Sequence, residues 1–346
     1  MNHTHIDGLD TPLPRLIVGL WGITGGTMWG NQEETDSVHA IQSAIDHGMY
    51  AFDTAEGYGD GYSEEVLGKA LADIPRQSVV ILSKASPENL SAENLIASCE
   101  ASLKRLGSDY IDVYQLHWPN ADIPVAETVA GLEKLKTQGK IRCYGVSNFG
   151  PEDLEELYAA DARPVTDQLS YSLMFRAIEL EILPVLRAHG TGVIAYSALL
   201  HGILTGKYRT LDDIPEGRTR TRHFSSDRPG TRHGTPGHEK TTAAVLENIR
   251  VICDDAGVSM REAALQWILS QDGVTAALVG VRNEHQAAEN ARLFDANIPT
   301  AVLEKLSKAS RPLKEEMGPH ADMWTIGARI RQGPSDQSRL RRTSDS

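Results

Sequence analysis

Four titratable side chains in the first third of the chain have the types and spacing of a proton-transfer site. Asp53, Lys84 and His117 each end a short apolar run, and Tyr58 follows Asp53 within the glycine-rich turn 56–61. Tyrosine has a pKa of about 10 in water and is a poor proton donor near neutral pH. A neighbouring ammonium group would lower that pKa. We therefore expect acid–base chemistry in which Tyr58 carries the proton, Lys84 tunes it, Asp53 holds Lys84 and His117 hydrogen-bonds the substrate.

The runs that end at these residues have the composition of buried parallel strands. They are short, rich in β-branched or aromatic residues, and each is followed by a helical pattern. The predicted strands are 15–21, 50–53, 79–84, 110–117, 143–147, 165–171, 193–196 and 275–280. The predicted helices are 35–47, one from 63, 91–106, 125–138, one after 151, 178–189, 239–256, 259–270 and 284–294. This alternation predicts an α/β fold, a parallel eight-stranded (β/α)₈ TIM barrel with outer helices, whose catalytic groups lie at the carboxyl ends of the strands.

Each of the four residues also has a structural interpretation when it is taken alone. Asp53 and Lys84 could form an ion pair that only stabilises the fold, His117 could be a buried structural histidine, and Tyr58 could be a surface residue of its turn. Their joint occurrence at successive strand ends favours the catalytic interpretation. A metal-dependent barrel hydrolase would need a His, Asp and Glu cluster at these ends, and Lys84 with a single histidine does not provide one.

Composition narrows the class of protein. The chain has 346 residues and a formal net charge of −13, which disfavours general binding to nucleic acids or membrane surfaces. Cys99, Cys143 and Cys253 are far apart and fit neither a disulfide framework nor a zinc motif. The first residues lack a secretory pattern, and the sequence has no run of about 18 apolar residues. We expect a cytoplasmic protein with no bound metal.

Two segments interrupt the alternation. Residues 209–238 form a long stretch rich in arginine, proline and glycine after the seventh predicted strand, where a lid over the site is expected and a disordered insert is the alternative. Residues 327–346 are polar and rich in arginine, which predicts a disordered tail. A single domain is therefore expected over residues 1–326.

Several spaced blocks resemble the aldo-keto reductases. The blocks are 52–59 with 63–65 and 68–71, then 83–84, 115–119 and 145–149, and the resemblance extends from about Leu16 to Leu306. It implies an NADP(H)-dependent oxidoreductase that interconverts a carbonyl (aldehyde, ketone or sugar) and its alcohol. In this family a tyrosine donates the proton while the nicotinamide supplies the hydride. Tyr58 would then be the acid in reduction and the base in oxidation.

No G-x-G-x-x-G follows a predicted strand, so a Rossmann-type cofactor site is not expected. The resemblance implies instead a dinucleotide laid across the barrel mouth. Ser147, Asn148 and Gln168 resemble the residues that hydrogen-bond the carboxamide, and Tyr196 resembles the residue that stacks on the nicotinamide ring. Arg282 is the candidate for the 2′-phosphate, which favours NADP(H) over NAD(H). The further expected cofactor residues are Gly19, Trp21, Asp53, Ser197, Leu199, Gly202, Leu204, Gly206, Lys207, Gly280, Gln286, Glu289 and Asn290.

The substrate is not readable from the sequence. The expected pocket residues are Trp21, Met28, Trp29, Tyr58, His117 and Trp118, whose aromatic wall suits sugar faces or apolar carbonyl compounds. Residues 280–282 and the 209–238 stretch resemble most the bacterial members that act on sugars, inositols or small aldehydes, and the potassium-channel β-subunits. The second resemblance leaves open an NADP(H)-binding regulatory or scaffold subunit with little turnover.

Overall fold

The chain is described from a computed structural model that covers residues 3–293, 296–327 and 329–332. Its barrel strands are β1 Leu16–Gly19, β2 Ala51–Asp53, β3 Val80–Ala85, β4 Ile111–Leu116, β5 Ile141–Ser147, β6 Thr166–Ser170, β7 Gly192–Tyr196 and β8 Val274–Gly280. They form a closed barrel of parallel pairs in which β8 lies between β7 and β1. The predicted (β/α)₈ barrel is therefore confirmed.

Helices surround the barrel. They are α1 Glu34–Asp46, α2 Tyr62–Ala70, α3 Ala92–Leu106, α4 Val125–Thr137, α5 Pro151–Ala159, α6 Ile182–His189, α7 Glu239–Ala256, α8 Met260–Leu269, α9 Glu284–Arg292 and α10 Thr300–Met317. Helix α3 shows why the boundaries were predictable: the Ser91 side chain caps its first turn, and Gly107 ends it with φ of 60°. Three elements are not predicted from the sequence: α10, the short helix Gly26–Trp29, and the antiparallel pair His3–Thr4 and Leu13–Pro14.

The barrel interior has an apolar layer beneath a polar layer. The apolar layer consists of Leu13, Ile17, Ala51, Val80, Leu82, Val113, Cys143, Ile194 and Ala276. Side chains alternate along a strand, so the next inward positions are two residues further on. Those positions hold Asp53, Lys84 and Gln115 at the carboxyl ends of β2, β3 and β4. Strand periodicity alone therefore brings the polar groups together at one end of the barrel, called the mouth below.

The 209–238 loop is built around short 3₁₀ turns, at Leu211–Asp213 and Glu216–Arg218, and it packs on the mouth side of the barrel. Gly217 lies against the backbone of residues 27 and 28, and a Cβ atom at Gly217 would come within 2.6 Å of the Thr27 carbonyl oxygen. The Arg222 guanidinium donates to the carbonyl oxygens of Met317 and His320 at 2.9 and 2.7 Å. The loop therefore joins the β1 side of the mouth to the end of α10.

The residues after α10 also lie across the mouth, and they are called the C-terminal segment here (residues 318–327 and 329–332). Ile330 is buried, and the Arg331 side chain forms ion pairs with Asp153 and Glu156. The polar composition predicts a disordered tail from residue 327. Residues 329–332 instead have fixed contacts in the structure, because Arg329 pairs with Asp322 and Arg331 pairs with Asp153 and Glu156. The rest of the predicted tail, 333–346, and residue 328 lie outside the described residues.

Within the described ranges, no helix is long and apolar enough to cross a membrane.

Candidate active site

Lys84 connects the acidic and phenolic groups at the mouth. Its Nζ donates to Asp53 Oδ1 at 2.6 Å, to the Thr54 carbonyl oxygen at 2.8 Å and to the Tyr58 hydroxyl at 3.2 Å. The Lys84 and Asp53 side chains are 0% and 2% exposed. An ion pair so well shielded from water keeps its geometry and charge, and its ammonium group faces the phenol.

The net pKa shift of Tyr58 is opposite to the expected one. Burial raises the pKa of Tyr58. The charge of Lys84 lowers it by a smaller amount, so the net shift is upward. Burial also lowers the pKa of Lys84, but the attraction of Asp53 leaves that pKa above its usual value. At neutral pH Tyr58 is therefore protonated and Lys84 is charged, which suits a proton donor held by a cation.

His117 stands beside Tyr58 as a neutral imidazole. The two rings are 5.5 Å apart and nearly perpendicular, at 77°. Burial, with a contribution from the charge of Lys84, lowers the pKa of His117 to about 3. A neutral imidazole can donate a hydrogen bond to an oxygen atom, but it carries no extra proton at pH 7.

Two glutamine side chains fix the second oxygen of Asp53. Gln168 Nε2 donates to Asp53 Oδ2 at 2.6 Å, and Gln115 Nε2 donates to the same atom at 3.2 Å. Gln168 is expected from the sequence to bind the cofactor carboxamide, and in this structure its amide nitrogen contacts Asp53. Gln115 was not predicted as a site residue, although its inward position on β4, two residues before His117, was a signal for it.

Ser147, Asn148 and Tyr196 form a second hydrogen-bonded group at the mouth. The Tyr196 hydroxyl donates to Asn148 Oδ1 at 2.8 Å, and Asn148 Nδ2 donates to the His117 carbonyl oxygen at 3.1 Å and to Ser147 Oγ at 3.0 Å. Asn148 has φ of 63°, a left-handed conformation that asparagine tolerates better than most residues. These contacts hold its side chain next to the Tyr58–His117 pair.

Indole rings line the space above Tyr58. Trp21 lies over the Tyr58 ring at 6.2 Å and 25°, and Trp29 meets Trp21 edge-on at 5.4 Å. Trp324, from the C-terminal segment, also meets Trp21 edge-on at 6.2 Å. The Arg329 guanidinium lies over Trp118, with its Cζ atom 4.1 Å from the ring centre. Met28, which precedes Trp29 in the chain, is buried. Trp324 is not predicted as a site residue, because its segment belongs to no barrel repeat.

Cationic groups converge on Gly202 after β7. A Cβ atom built at Gly202, where φ is 90°, would lie 3.3 Å from Lys207 Nζ and 3.4 Å from Arg218 Nη1. The pKa of Arg282 is lowered, mainly by burial and to a smaller extent by the positive charge of Arg218. Among the described ion pairs, none provides a carboxylate for Lys207, Arg218 or Arg282. Cations that repel one another without a counter-charge favour binding of an anion.

Arg282 has hydrogen-bond partners within the protein. Its guanidinium donates to the carbonyl oxygens of Trp29 at 2.6 Å and Asn31 at 2.7 Å, and to Gln32 Oε1 at 2.8 Å. These acceptors follow β1, so Arg282 ties that loop to the end of β8. None of the acceptors is charged, and the positive charge of Arg282 remains uncompensated. Sequence reasoning did not select Arg218, because nothing local distinguishes it from the other arginines of its loop.

The remaining predicted cofactor residues lie at the ends of β1 and β8, on α9, and after β7. Gly19 ends β1 beside Gly280, and the Gly280 carbonyl oxygen accepts from Asn290 Nδ2 at 3.1 Å. Gln286 accepts from the Arg282 backbone at 3.0 Å, and Glu289 pairs with Arg261 at 2.6 Å. After β7, Ser197 Oγ lies 3.2 Å from His201 Nε2, and the 3₁₀ turn Leu200–Thr205 contains Gly202 and Leu204. Leu199 and Gly206 flank that turn, and Lys207 follows it.

The described residues contain no group of three His, Cys, Asp or Glu side chains suited to a metal ion. The geometry at the mouth offers a protonated phenol beside an ammonium group, a neutral imidazole, and a separate basic cluster. A carbonyl oxygen between Tyr58 and His117 could accept a hydrogen bond from each, and the phenol could pass it a proton.

The aldo/keto reductase family model matches residues 15–311. The chain belongs to the aldo/keto reductase family. It is an oxidoreductase of that family, and the match covers the barrel and most of α10.

Curated relatives span most of the chain. The aldo-keto reductase YhdN of Bacillus subtilis is 34% identical over 83% of this chain and 86% of its own length. The NADH-specific methylglyoxal reductase of Escherichia coli is 33% identical over 84% of this chain and 93% of its own. A probable voltage-gated potassium channel subunit beta of Arabidopsis thaliana is 29% identical over 87% of this chain and 94% of its own length. Resemblance to both bacterial enzymes and channel subunits is thereby confirmed.

Solved aldo/keto reductase structures share the fold. The glycerol dehydrogenase of Gluconobacter oxydans has a TM-score of 0.75 and 31% identity, with 94% of this chain and 99% of that chain covered. An aldo/keto reductase of Klebsiella pneumoniae, solved with NADP and acetate, has a TM-score of 0.67 and 29% identity, with coverage of 93% and 96%.

Proposed function

We propose that this aldo/keto reductase interconverts a small carbonyl compound and its alcohol with NADP(H), using Tyr58 as the proton donor in reduction. The observation that carries the proposal is the contact of the Tyr58 hydroxyl with Lys84 Nζ, beside His117 and at the end of three neighbouring strands. The dinucleotide, when bound, supplies or accepts the hydride. The protein orients the carbonyl, excludes water from the mouth and moves the proton.

In reduction His117 and Tyr58 act on the same substrate oxygen. The neutral imidazole donates a hydrogen bond that stabilises negative charge on the oxygen as it develops, and Tyr58 transfers its proton to that oxygen. Lys84 stabilises the phenolate that remains, and Asp53, fixed by Gln115 and Gln168, keeps Lys84 in place. In oxidation the same phenolate takes the proton back.

The mouth has groups of the kinds a dinucleotide needs. Asn148 and Ser147 offer amide and hydroxyl groups for a carboxamide, and the Tyr196 ring beside them offers a flat surface for stacking. The basic cluster of Lys207, Arg218 and Arg282 would bind phosphate groups. Since Arg218 belongs to the 209–238 loop, that loop would act as a cover over the bound cofactor.

The basic cluster also supports a preference for NADP(H), although the Escherichia coli relative is named as NADH-specific. We assign the 2′-phosphate to Arg282 together with Arg218, whose charge acts on Arg282. Replacing Arg218 with Leu should then weaken NADPH binding about tenfold, because a charge-assisted hydrogen bond to the 2′-phosphate is lost. NADH affinity should change by less than about twofold, since NADH lacks that phosphate. Fluorescence titration with both cofactors measures the difference.

Arg220 provides the matched control for that titration, because its Nε donates to the Gly230 carbonyl oxygen within the same loop. Arg220→Leu should leave both affinities near wild type. Equal weakening of NADPH and NADH by Arg218→Leu would contradict the 2′-phosphate assignment. Arg282 is a poorer probe, because its removal also frees the loop after β1.

The pKa directions predict the pH profile of the reaction. The pKa of Tyr58 is raised, so the phenol is protonated throughout the neutral range and deprotonates only above its ordinary value of about 10. The pKa of His117 is lowered to about 3, so its imidazole stays neutral above that pH. For reduction, kcat/KM should be flat between about pH 5 and 9 and fall at higher pH. An inflection near the ordinary histidine pKa of about 6.5, lost in His117→Gln, would contradict this.

A regulatory or scaffold subunit is the second candidate, and the channel-subunit relative favours it. Both candidates predict NADPH binding, so binding cannot separate them. The two candidates are separated by steady-state oxidation of NADPH, measured with purified protein and a panel of small aldehydes, sugars and aromatic aldehydes. We expect sustained turnover with at least one small carbonyl. Tight NADPH binding would favour the second candidate if the protein neither reduces any carbonyl of the panel nor oxidises the corresponding alcohols with NADP⁺.

A further inference from the structure

The C-terminal segment contacts three sides of the mouth. Trp324 lies against Trp21 after β1, and Arg329 lies over Trp118 after β4. Ser170 Oγ, at the end of β6, donates to Met323 Sδ at 2.9 Å. The segment therefore forms part of the wall that faces a substrate above Tyr58.

The beginning of the segment is fixed by the 209–238 loop. The Arg222 side chain is buried and donates to the carbonyl oxygens at the end of α10 and in the segment itself. Within the segment, Asp322 pairs with Arg329 at 2.7 Å and accepts from the Trp324 backbone at 2.9 Å. These contacts set the shape of the turn that carries Trp324.

Arg331 fixes the other end of the segment to the first two turns of α5. Its backbone N–H donates to Asp153 Oδ2 at 3.0 Å, its Nε also donates to Asp153, and its Nη2 donates to Glu156 Oε2 at 2.5 Å. Asp153 is 0% exposed, and its Oδ2 also accepts from the Gly150 N–H at 3.0 Å. One buried carboxylate thus joins Arg331 to the loop that begins with Asn148.

The contact at Gly150 is too close for any other residue. A Cβ atom there would lie 2.1 Å from the Arg331 carbonyl oxygen and 2.9 Å from Ile330 Cγ2. Gly150 is two residues from Asn148, whose side chain contacts Tyr196 and the His117 backbone. The position of the segment is therefore fixed relative to Asn148 and Tyr196, which are proposed to bind the nicotinamide.

We propose that Arg331 is a positioning residue, whose ion pairs with Asp153 and Glu156 hold Trp324 and Arg329 in the substrate wall at a fixed distance from the Asn148 loop. Arg331 touches neither substrate nor cofactor in this role. It acts through the segment, so its loss should affect the carbonyl substrate far more than the dinucleotide. The kinetic part of this inference rests on the proposed function.

The test is Arg331→Met, with Arg76→Met as the matched structural control. Arg76 forms a similarly shielded ion pair with Asp112 at 2.6 Å, at the opposite end of the barrel. For Arg331→Met we expect KM for the carbonyl to rise about tenfold, with kcat and NADPH affinity changed by less than about twofold. Arg331→Lys, which keeps the charge at Asp153, should recover part of the loss. Arg76→Met should lower Tm without changing KM.

Hydrogen–deuterium exchange provides a readout that needs no turnover. In Arg331→Met, amides 322–327 and 329–332 should exchange faster, while Arg76→Met leaves them as in wild type. An unchanged KM and unchanged exchange, with only a lower Tm, would overturn the proposal. If the wild-type protein turns over no carbonyl, the proposed function fails, and the exchange result alone decides whether Arg331 holds the segment.

Discussion

Replacing Tyr58 with Phe should lower kcat for carbonyl reduction about 10³-fold, because the group that protonates the substrate oxygen is removed. The aromatic ring remains, so its contacts with Trp21 and His117 are retained. NADPH affinity and Tm should therefore stay close to wild type. Steady-state kinetics at saturating NADPH, together with a fluorescence titration of the cofactor, measure the two effects separately.

Tyr110 supplies the matched control for this substitution. It lies at the opposite end of the barrel, where its ring is contacted by the guanidinium groups of Arg76 and Arg142, each 3.9 Å from the ring centre. Tyr110→Phe should leave kcat unchanged. Substantial turnover by Tyr58→Phe would refute the role given to the phenol and would point to His117 or water as the proton source.

Replacing Lys84 with Met should destabilise the protein as well as inactivate it. Asp53 would be left as a buried carboxylate without its cation, and the loss of one partner of a buried ion pair costs about 3–5 kcal/mol of unfolding free energy. Asp53 would keep only the amide groups of Gln115 and Gln168. Urea denaturation measures the loss of stability, and NADPH oxidation measures the loss of activity.

The double variant Asp53→Asn with Lys84→Met separates these effects. It removes both charges, so much of the stability should return, because replacing a buried pair as a whole is often nearly neutral. Activity should stay absent, since no ammonium group faces Tyr58. Lys69→Met, which removes an exposed partner of Glu34, should change neither property measurably. Recovery of activity in the double variant would contradict the role assigned to Lys84.

The barrel was predictable because its signal is local and repeated. Each strand is a short apolar run, and strand periodicity places Asp53 two residues after Ala51 and Lys84 two residues after Leu82 on the inner face. The order of these strands in a parallel barrel then brings their carboxyl ends together. The proximity of Asp53 and Lys84 follows from sequence alone, and the structure adds the distances and the contact of Tyr58 with Lys84.

The net pKa of Tyr58 and the partners of Arg282 could not be predicted in the same way. The spacing of Tyr58 and Lys84 indicates an attraction, but the opposing cost of burial depends on every element around the mouth. Arg282 is recognisable as a basic residue after β8. Its bonds to Trp29, Asn31 and Gln32 join positions about 250 residues apart, and no local pattern encodes them.

The C-terminal segment shows the limit of composition as a guide. Its arginines indicate disorder when they are counted by themselves. The structure orders residues 329–332 because Arg329 and Arg331 have carboxylate partners, and Asp153 lies 178 residues before Arg331. No helix is predicted from the sequence over α10. Pro312 within it is typical of a helix break, yet α10 continues to Met317.

The most direct test of the central claim follows an isotope from cofactor to product. NADPH deuterated stereospecifically at the reactive ring carbon is incubated with the protein and an accepted aldehyde, and the alcohol is analysed by mass spectrometry. Because stacking on Tyr196 would cover one face of the ring, one stereoisomer should place a single deuterium on the former carbonyl carbon, and the other should place none. Unlabelled alcohol from both stereoisomers would contradict hydride transfer at this mouth.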